Sequence, residues 1–222
     1  MIVLGVCAAR LWSCVGPAIT GHTKAQPFEI VPVSDNEPRH KKIVSALERE
    51  WKVSDSESGD VQLLIAKSDE INAASFGNGR FLFWEGTANL SQDDLEAIAA
   101  HEVAHDVLKH SRNASELQDL TDFFGEALSF ISGSDDETEK TLKHWFGNAV
   151  LPKYNRAQEL AADSRAVELL RLSGYQHPSK VMSHCLETLL SKYGSSGGRF
   201  FDTHPSTQER IQKLRSETST DQ

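Results

Sequence analysis

Ala99-Ala100-His101-Glu102-Val103-Ala104-His105 is the stretch from which the rest of this 222-residue chain is read. Its two histidines stand four residues apart, one helical turn, so both imidazoles leave one face toward a common point. Glu102 lies beside that point without being needed as a ligand, which suits a general base acting on an activated water. Ser91 followed by Asp94 predicts a capped helix start. Leu95, Ile98, Ala99, Val103, Val107 and Leu108 then make the helix apolar almost all round, and such a helix is buried. Two histidines and a glutamate inside it need a partner, and a bound cation satisfies all three. Chance occurrence on an ordinary helix is the alternative that the motif alone leaves open.

A catalytic zinc takes three protein ligands and keeps a fourth position open. Beyond His101 and His105 the candidates for the third are Glu159, His110, His144 and His204. His110 follows His105 by five residues and points away from the shared face, as a surface residue or a partner to a ligand would. His22, His40, His177 and His184 have no acidic or histidine companions at helical spacing and read as structural or solvated. Glu159 is favoured because Asp163 follows it by one turn: one carboxylate can take the metal while the next accepts the outer N–H of a ligand histidine. Both sit in a predicted helix from Asn155 to Leu172, with Asn155 and Gln158 capping its start and Gly174 ending it. The small residues Ala161, Ala162 and Ala166 let another helix approach closely.

Upstream of the motif, Ile43, Val44, Leu47 and Trp51 predict a helix over 39–51, and Val61 to Ala66 a short strand. Asn72 to Thr87 reads as a hairpin turning at Gly77-Asn78-Gly79. A sheet ending on this hairpin would offer an edge beside the metal helix, where an extended peptide can add as another strand; a hairpin that merely closes the core is the alternative. Downstream, a helix is expected over 115–132, an acidic loop over 133–139, and a helix from Pro178 to Lys192. A last helix is capped by Ser206 and Glu209, with His204 just ahead of it.

The net charge is −9, from 23 basic and 32 acidic residues, without a basic cluster longer than Arg39-His40-Lys41-Lys42. No nucleic acid partner is expected. Cys7, Cys14 and Cys185 form neither a disulfide framework nor a cysteine metal site. Met1 to Ile19 is the most apolar stretch, a poorly formed signal or anchor interrupted by Arg10, with Leu11-Trp12-Ser13-Cys14 loosely like a lipoprotein processing site. No other stretch is apolar over the ~18 residues a membrane span requires. The division expected is therefore an N-terminal apolar segment and linker over 1–38 and one catalytic domain over 39–222. Export is the favoured location and the cytoplasm the alternative, with membrane association through the N-terminal segment only.

Three blocks carry a resemblance: His101-Glu102-Val103-Ala104-His105; Tyr154-Asn155-Arg156 leading into Glu159-Leu160-Ala161-Ala162-Asp163; and Thr203-His204-Pro205-Ser206 with Arg210-Ile211. In order and spacing they resemble the family of CAAX prenyl proteases and heat-shock membrane metallopeptidases, over roughly 39–215. The resemblance implies a zincin-like fold of the glutamate type, zinc endopeptidase activity, Glu159 as third ligand and Glu102 as base. On it His204 is expected to stabilise the oxyanion, and Arg210 to hold Glu159 or Asp163 by a charged hydrogen bond. The hairpin resembles the family's substrate edge, which assigns Gly79, Arg80, Phe81, Leu82 and Phe83 as the substrate-binding strand. His110 resembles a feature of the exported quality-control branch, whose substrates are misfolded or membrane-associated proteins. Ala161, Asn155, Ala166 and Gly77 depart from common family residues without touching a ligand or the base.

The expectation is thus a mainly helical α+β zincin-like domain that holds one zinc and hydrolyses polypeptides. The rival from another class is a zinc-stabilised peptide-binding or chaperone-like module. Retention of Glu102 argues against it, since a binder needs the ligands but not the base. An aminopeptidase would need an acidic cluster for a substrate N-terminus, and the sequence shows no sign of one.

Overall fold

The structure is a computed structural model that describes residues 29–31, 33–56, 60–110, 151, 153–194, 199–205 and 207–218. The expected helix over 115–132, the acidic loop, His144, the N-terminal apolar segment and the capping residue Ser206 lie outside these. The described elements are β1 (Glu29–Val31), α1 (Pro38–Lys52), β2 (Gln62–Lys67), β3 (Ala73–Gly77), β4 (Arg80–Trp84), a 3-10 turn (Glu85–Asn89), α2 (Gln92–Val107), α3 (Arg156–Leu172), α4 (Pro178–Tyr193), α5 (Arg199–Thr203) and α6 (Thr207–Glu217). They form a mainly helical α+β domain with one four-stranded sheet, the class the sequence predicts.

The metal-motif helix is α2, and it is the centre of the molecule. Ser91 caps it by accepting from the Asp94 N–H at 3.1 Å, and Asp93 and Asp94 place negative charge in its first turn, where the helix dipole favours it. Every residue from Asp94 to Asp106 is buried, because α1, α3, α4 and β3 all pack on it. Ala97, Ala99, Ala100 and Ala104 on α2 and Ala162 and Ala166 on α3 carry short side chains that permit this crowding.

The sheet order is β1-β2-β4-β3. Asn78 and Gly79 at the hairpin tip have φ of 55° and 77°, the left-handed pair that a tight hairpin turn requires. Gly79 also donates its N–H to Asp106 Oδ2 at 2.9 Å, which pins the tip to the far end of α2. β4 pairs with β3 on one side and, in parallel, with β2 on the other, in the register Leu63↔Phe81 and Ile65↔Phe83.

This corrects the expected substrate edge. Arg80, Phe81, Leu82 and Phe83 lie in an inner strand and Gly79 in the turn, so among the described residues the sheet's edge on this side is β3, Ala73–Gly77. A signal for this is present in the sequence: Phe81-Leu82-Phe83-Trp84 is apolar without alternation and buried throughout, the pattern of a strand covered on both faces. Glu29–Val31, in the stretch read as linker, pairs antiparallel with β2 and completes the sheet's other side.

The second predicted helix is α3. Asn155 accepts from the Gln158 N–H at 3.1 Å and Gln158 returns the bond to the Asn155 N–H at 2.9 Å, a reciprocal cap as expected. Gly174, φ 101°, follows its end. The sequence reading missed α5, five residues that carry Phe200 into the core and hand the chain to His204, whose N–H bonds to Phe200 O at 2.9 Å.

Candidate metal centre

Three elements converge: α2 brings His101, Glu102 and His105, α3 brings Glu159 and Asp163, and the turn between α5 and α6 brings His204. All are at most 1% exposed. His101, His105, Glu159 and His204 each offer one donor atom, and these atoms lie within 4.8 Å of one another. His101 Nε2 and His105 Nε2 are 3.0 Å apart, His105 Nε2 is 3.2 Å from Glu159 Oε1, and His101 Nε2 is 3.5 Å from Glu159 Oε2. His204 Nδ1 is 3.3 Å from His101 Nε2 and 3.1 Å from Glu159 Oε1. Tetrahedral ligands with bonds of ~2.0–2.1 Å stand roughly 3.3 Å from each other, so these spacings fit a single small cation. Three imidazoles and a carboxylate turned inward and cut off from water crowd their donor atoms on one point, which a bound cation would satisfy.

The outer atoms of both motif histidines are held. His101 Nδ1 lies 3.1 Å from Asp163 Oδ1, the pairing expected from the Glu159/Asp163 spacing. His105 Nδ1 lies 2.8 Å from His110 Nδ1, and the His110 carbonyl accepts from Gln158 Nε2 at 3.1 Å, so His110 is a partner of a candidate ligand. Arg210, expected to grip a carboxylate, grips two. Its Nε and Nη2 donate to the two oxygens of Asp163 at 2.7 Å each, and its Nη1 stands 2.5 Å from Glu159 Oε2, with the whole side chain buried.

These contacts set the electrostatics. Burial raises Asp163, but the Arg210 guanidinium outweighs it and holds the carboxyl down at about 2. Glu159 is likewise lowered: burial is overcome by His204, Arg210 and the two motif histidines. Burial lowers His101, yet its bonds to Asp163 and Glu159 bring it up to about 9, while His105, where burial prevails, is pushed below the usual histidine range. Glu102 is raised by burial, the nearby His204 and His101 opposing. The Ser75 backbone N–H also lowers it, and His204 Nε2 comes within 3.3 Å of Oε1.

Two contributors escaped sequence reasoning. Tyr154 was quoted only as part of a block, yet its ring lies flat on His105, centroids 3.6 Å apart at 18°, and its hydroxyl donates to Ser75 O at 3.0 Å. Phe200 stacks on His204 at 4.5 Å and 21°. Neither has a sequence signal, since an aromatic at a helix lead-in is ordinary. Asp106 had one, being a carboxylate in a helix apolar almost all round. It fixes the hairpin and takes no part in the donor cluster.

The sequence profile described as "Peptidase family M48" matches residues 34–218. The chain belongs to peptidase family M48. The M48 span contains α2, α3 and the His204 turn, so all the converging residues fall inside it. Among curated relatives, Metalloprotease YcaL of Escherichia coli (strain K12) is 28% identical over 157 residues, 70% of this chain and 61% of that protein. Metalloprotease LoiP of the same organism is 24% identical over 163 residues, 72% of this chain and 64% of that protein. Mitochondrial metalloendopeptidase OMA1 of Schizosaccharomyces pombe is 26% identical over 160 residues, 69% of this chain and 45% of that protein. This M48 chain thus spans less than two thirds of the length of these relatives.

Proposed function

We propose that the chain is a zinc endopeptidase, with His101, His105 and Glu159 as metal ligands and Glu102 as general base. The observation that carries the reading is the buried cluster of three histidines and one glutamate with a further buried carboxylate, Glu102, 3.3 Å from His204. Two imidazoles and a carboxylate with a fourth position in reach are the donor set of a catalytic zinc site of the glutamate type. Bound there, zinc polarises the scissile carbonyl and makes the attacking water more acidic.

The remaining chemistry belongs to the chain. Glu102 takes the proton of the attacking water and passes it to the leaving amine; its burial strengthens its hold on that proton, which suits the role. Asp163 and His110 fix the ring orientations of His101 and His105. Arg210 keeps Glu159 and Asp163 ionised and in place. Extended polypeptide adds to β3, the edge against α2, as an antiparallel or parallel strand.

Unfolded or membrane-associated proteins are the proposed substrates, and protein quality control outside the cytoplasm the proposed setting. The three-block resemblance and the apolar 1–20 stretch support this. Among the described residues no helix is long and apolar enough to cross a membrane.

The reading is tested by incubating the zinc-loaded protein with casein, with and without a chelator, and sequencing the products by mass spectrometry. Internal cleavages that vanish with chelator and return with zinc are expected. Peptide binding without cleavage by zinc-loaded protein would replace this reading with the chaperone-like one.

His204 is assigned as the donor to the oxygen that turns negative when water adds to the carbonyl. Removing one such donor costs ~3 kcal/mol, about a hundredfold in turnover. His204→Ala is therefore expected to lower kcat by about that factor with zinc content and KM little changed. The position of His204 Nδ1, 3.1 Å from Glu159 Oε1 and 3.3 Å from His101 Nε2, favours a second role, a fourth ligand that latches the site. A latch predicts higher turnover in the same variant, and kcat at or above wild type would remove the oxyanion role.

A further inference from the structure

The edge at which a substrate strand would add is already occupied. Asn72 O accepts from the Trp84 N–H at 3.0 Å, so Asn72 faces β4. By the alternation of an antiparallel ladder, the N–H and C=O of Ser75, three residues on, face away from β4. Those are the backbone groups an incoming peptide would pair with. The Ser75 C=O accepts the Tyr154 hydroxyl at 3.0 Å, and the Ser75 N–H is close enough to the Glu102 carboxylate to bear on its acidity. β3 is buried along its whole length. An added strand has to displace what lies against it, and among the described residues the Tyr154 hydroxyl lies on Ser75 O.

We propose that the Tyr154 hydroxyl stands in for a substrate backbone N–H on β3, and that a peptide binds by taking the Ser75 carbonyl from it. Tyr154 is on this view a positioning residue that sets affinity for extended peptides, through competition at one carbonyl. The rest of its contacts keep the ring where it is. It lies flat on His105, and the Tyr154 N–H bonds to Thr203 O at 3.2 Å, next to His204. Removing the oxygen alone therefore takes the Tyr154 hydrogen bond from the Ser75 carbonyl and leaves the stack on His105 in place. The proposal rests on the reading of β3 as a peptidase's substrate edge.

The test is Tyr154→Phe in the full zinc-loaded chain, using a fluorescent peptide that spans a cleavage site mapped in casein. A neutral hydrogen bond has a net worth equivalent to roughly fivefold in an equilibrium constant. KM is expected to fall by about that factor, with a smaller change in kcat. On a Glu102→Gln background, where the peptide is not cut, its Kd by fluorescence anisotropy is expected to tighten by the same factor. A KM and Kd that are unchanged or weaker overturn the proposal, and a lower melting temperature accompanying them makes Tyr154 a brace. A kcat lowered a hundredfold at constant KM also overturns it, since the hydroxyl would then act on the reacting carbonyl. Wild-type protein that neither binds nor cuts the peptide overturns the peptidase reading itself, and that failure is visible without any variant.

Discussion

Glu102→Gln is expected to yield a folded protein that keeps its zinc and cuts nothing. The amide has the shape of the carboxylate and its site is sealed, with Glu102 fully buried between α2 and β3, so packing changes little. What is lost is the ability to take a proton. General base catalysis contributes about 10²–10⁴-fold, and under the proposed function the same group also returns the proton to the leaving amine, so the expected loss belongs at the upper end of that range or beyond. The Ser75 N–H and His204 Nε2 face the Glu102 carboxylate, and the carbonyl oxygen of the amide can still accept from one of them. The checks are casein turnover, zinc content by elemental analysis and a melting curve, measured on one preparation. Turnover within tenfold of wild type, with zinc retained, would mean that another group accepts the proton.

Arg210→Met is expected to have the largest effect on stability. The guanidinium is fully buried and bonds two carboxylates, Asp163 through paired 2.7 Å bonds and Glu159 through a 2.5 Å contact. Methionine fills much of the volume but takes the guanidinium from both carboxylates, leaving His101 as the partner they share. Breaking a buried ion pair from one side costs about 3–5 kcal/mol, because the remaining charge is stranded rather than because the pair itself is worth that much. For a domain of this size the drop in melting temperature is on the order of 10 °C. Zinc on Glu159 would take over part of the compensation, so the drop should be larger in chelator than in zinc. Adding Asp163→Asn, which removes one stranded charge, should recover part of the loss. A chelated Arg210→Met protein that melts within 2 °C of wild type would show that the two carboxylates find their compensation elsewhere.

What could be read from the sequence alone is local. His101 and His105 share a face because four residues make one helical turn, and Glu159 and Asp163 share one for the same reason; α2 and α3 are capped by Ser91 and by the Asn155/Gln158 pair, as their spacing predicts. Asn78-Gly79 turns the hairpin because both backbones sit at positive φ. In each case the cause lies within a few residues of its effect, so a sequence pattern carries it. The tertiary structure decided whatever depends on residues far apart in the chain. Phe81 became inner rather than edge because β2 pairs in parallel with β4, a choice between two ends of the sheet that no spacing encodes. Arg210 grips two carboxylates 47 and 51 positions before it, His204 reaches His101 across 103, and Tyr154 caps Ser75 across 79. Residue type marked these groups as able to bond or bind charge, but only packing around α2, which excludes water from all of them at once, made each contact strong enough to matter.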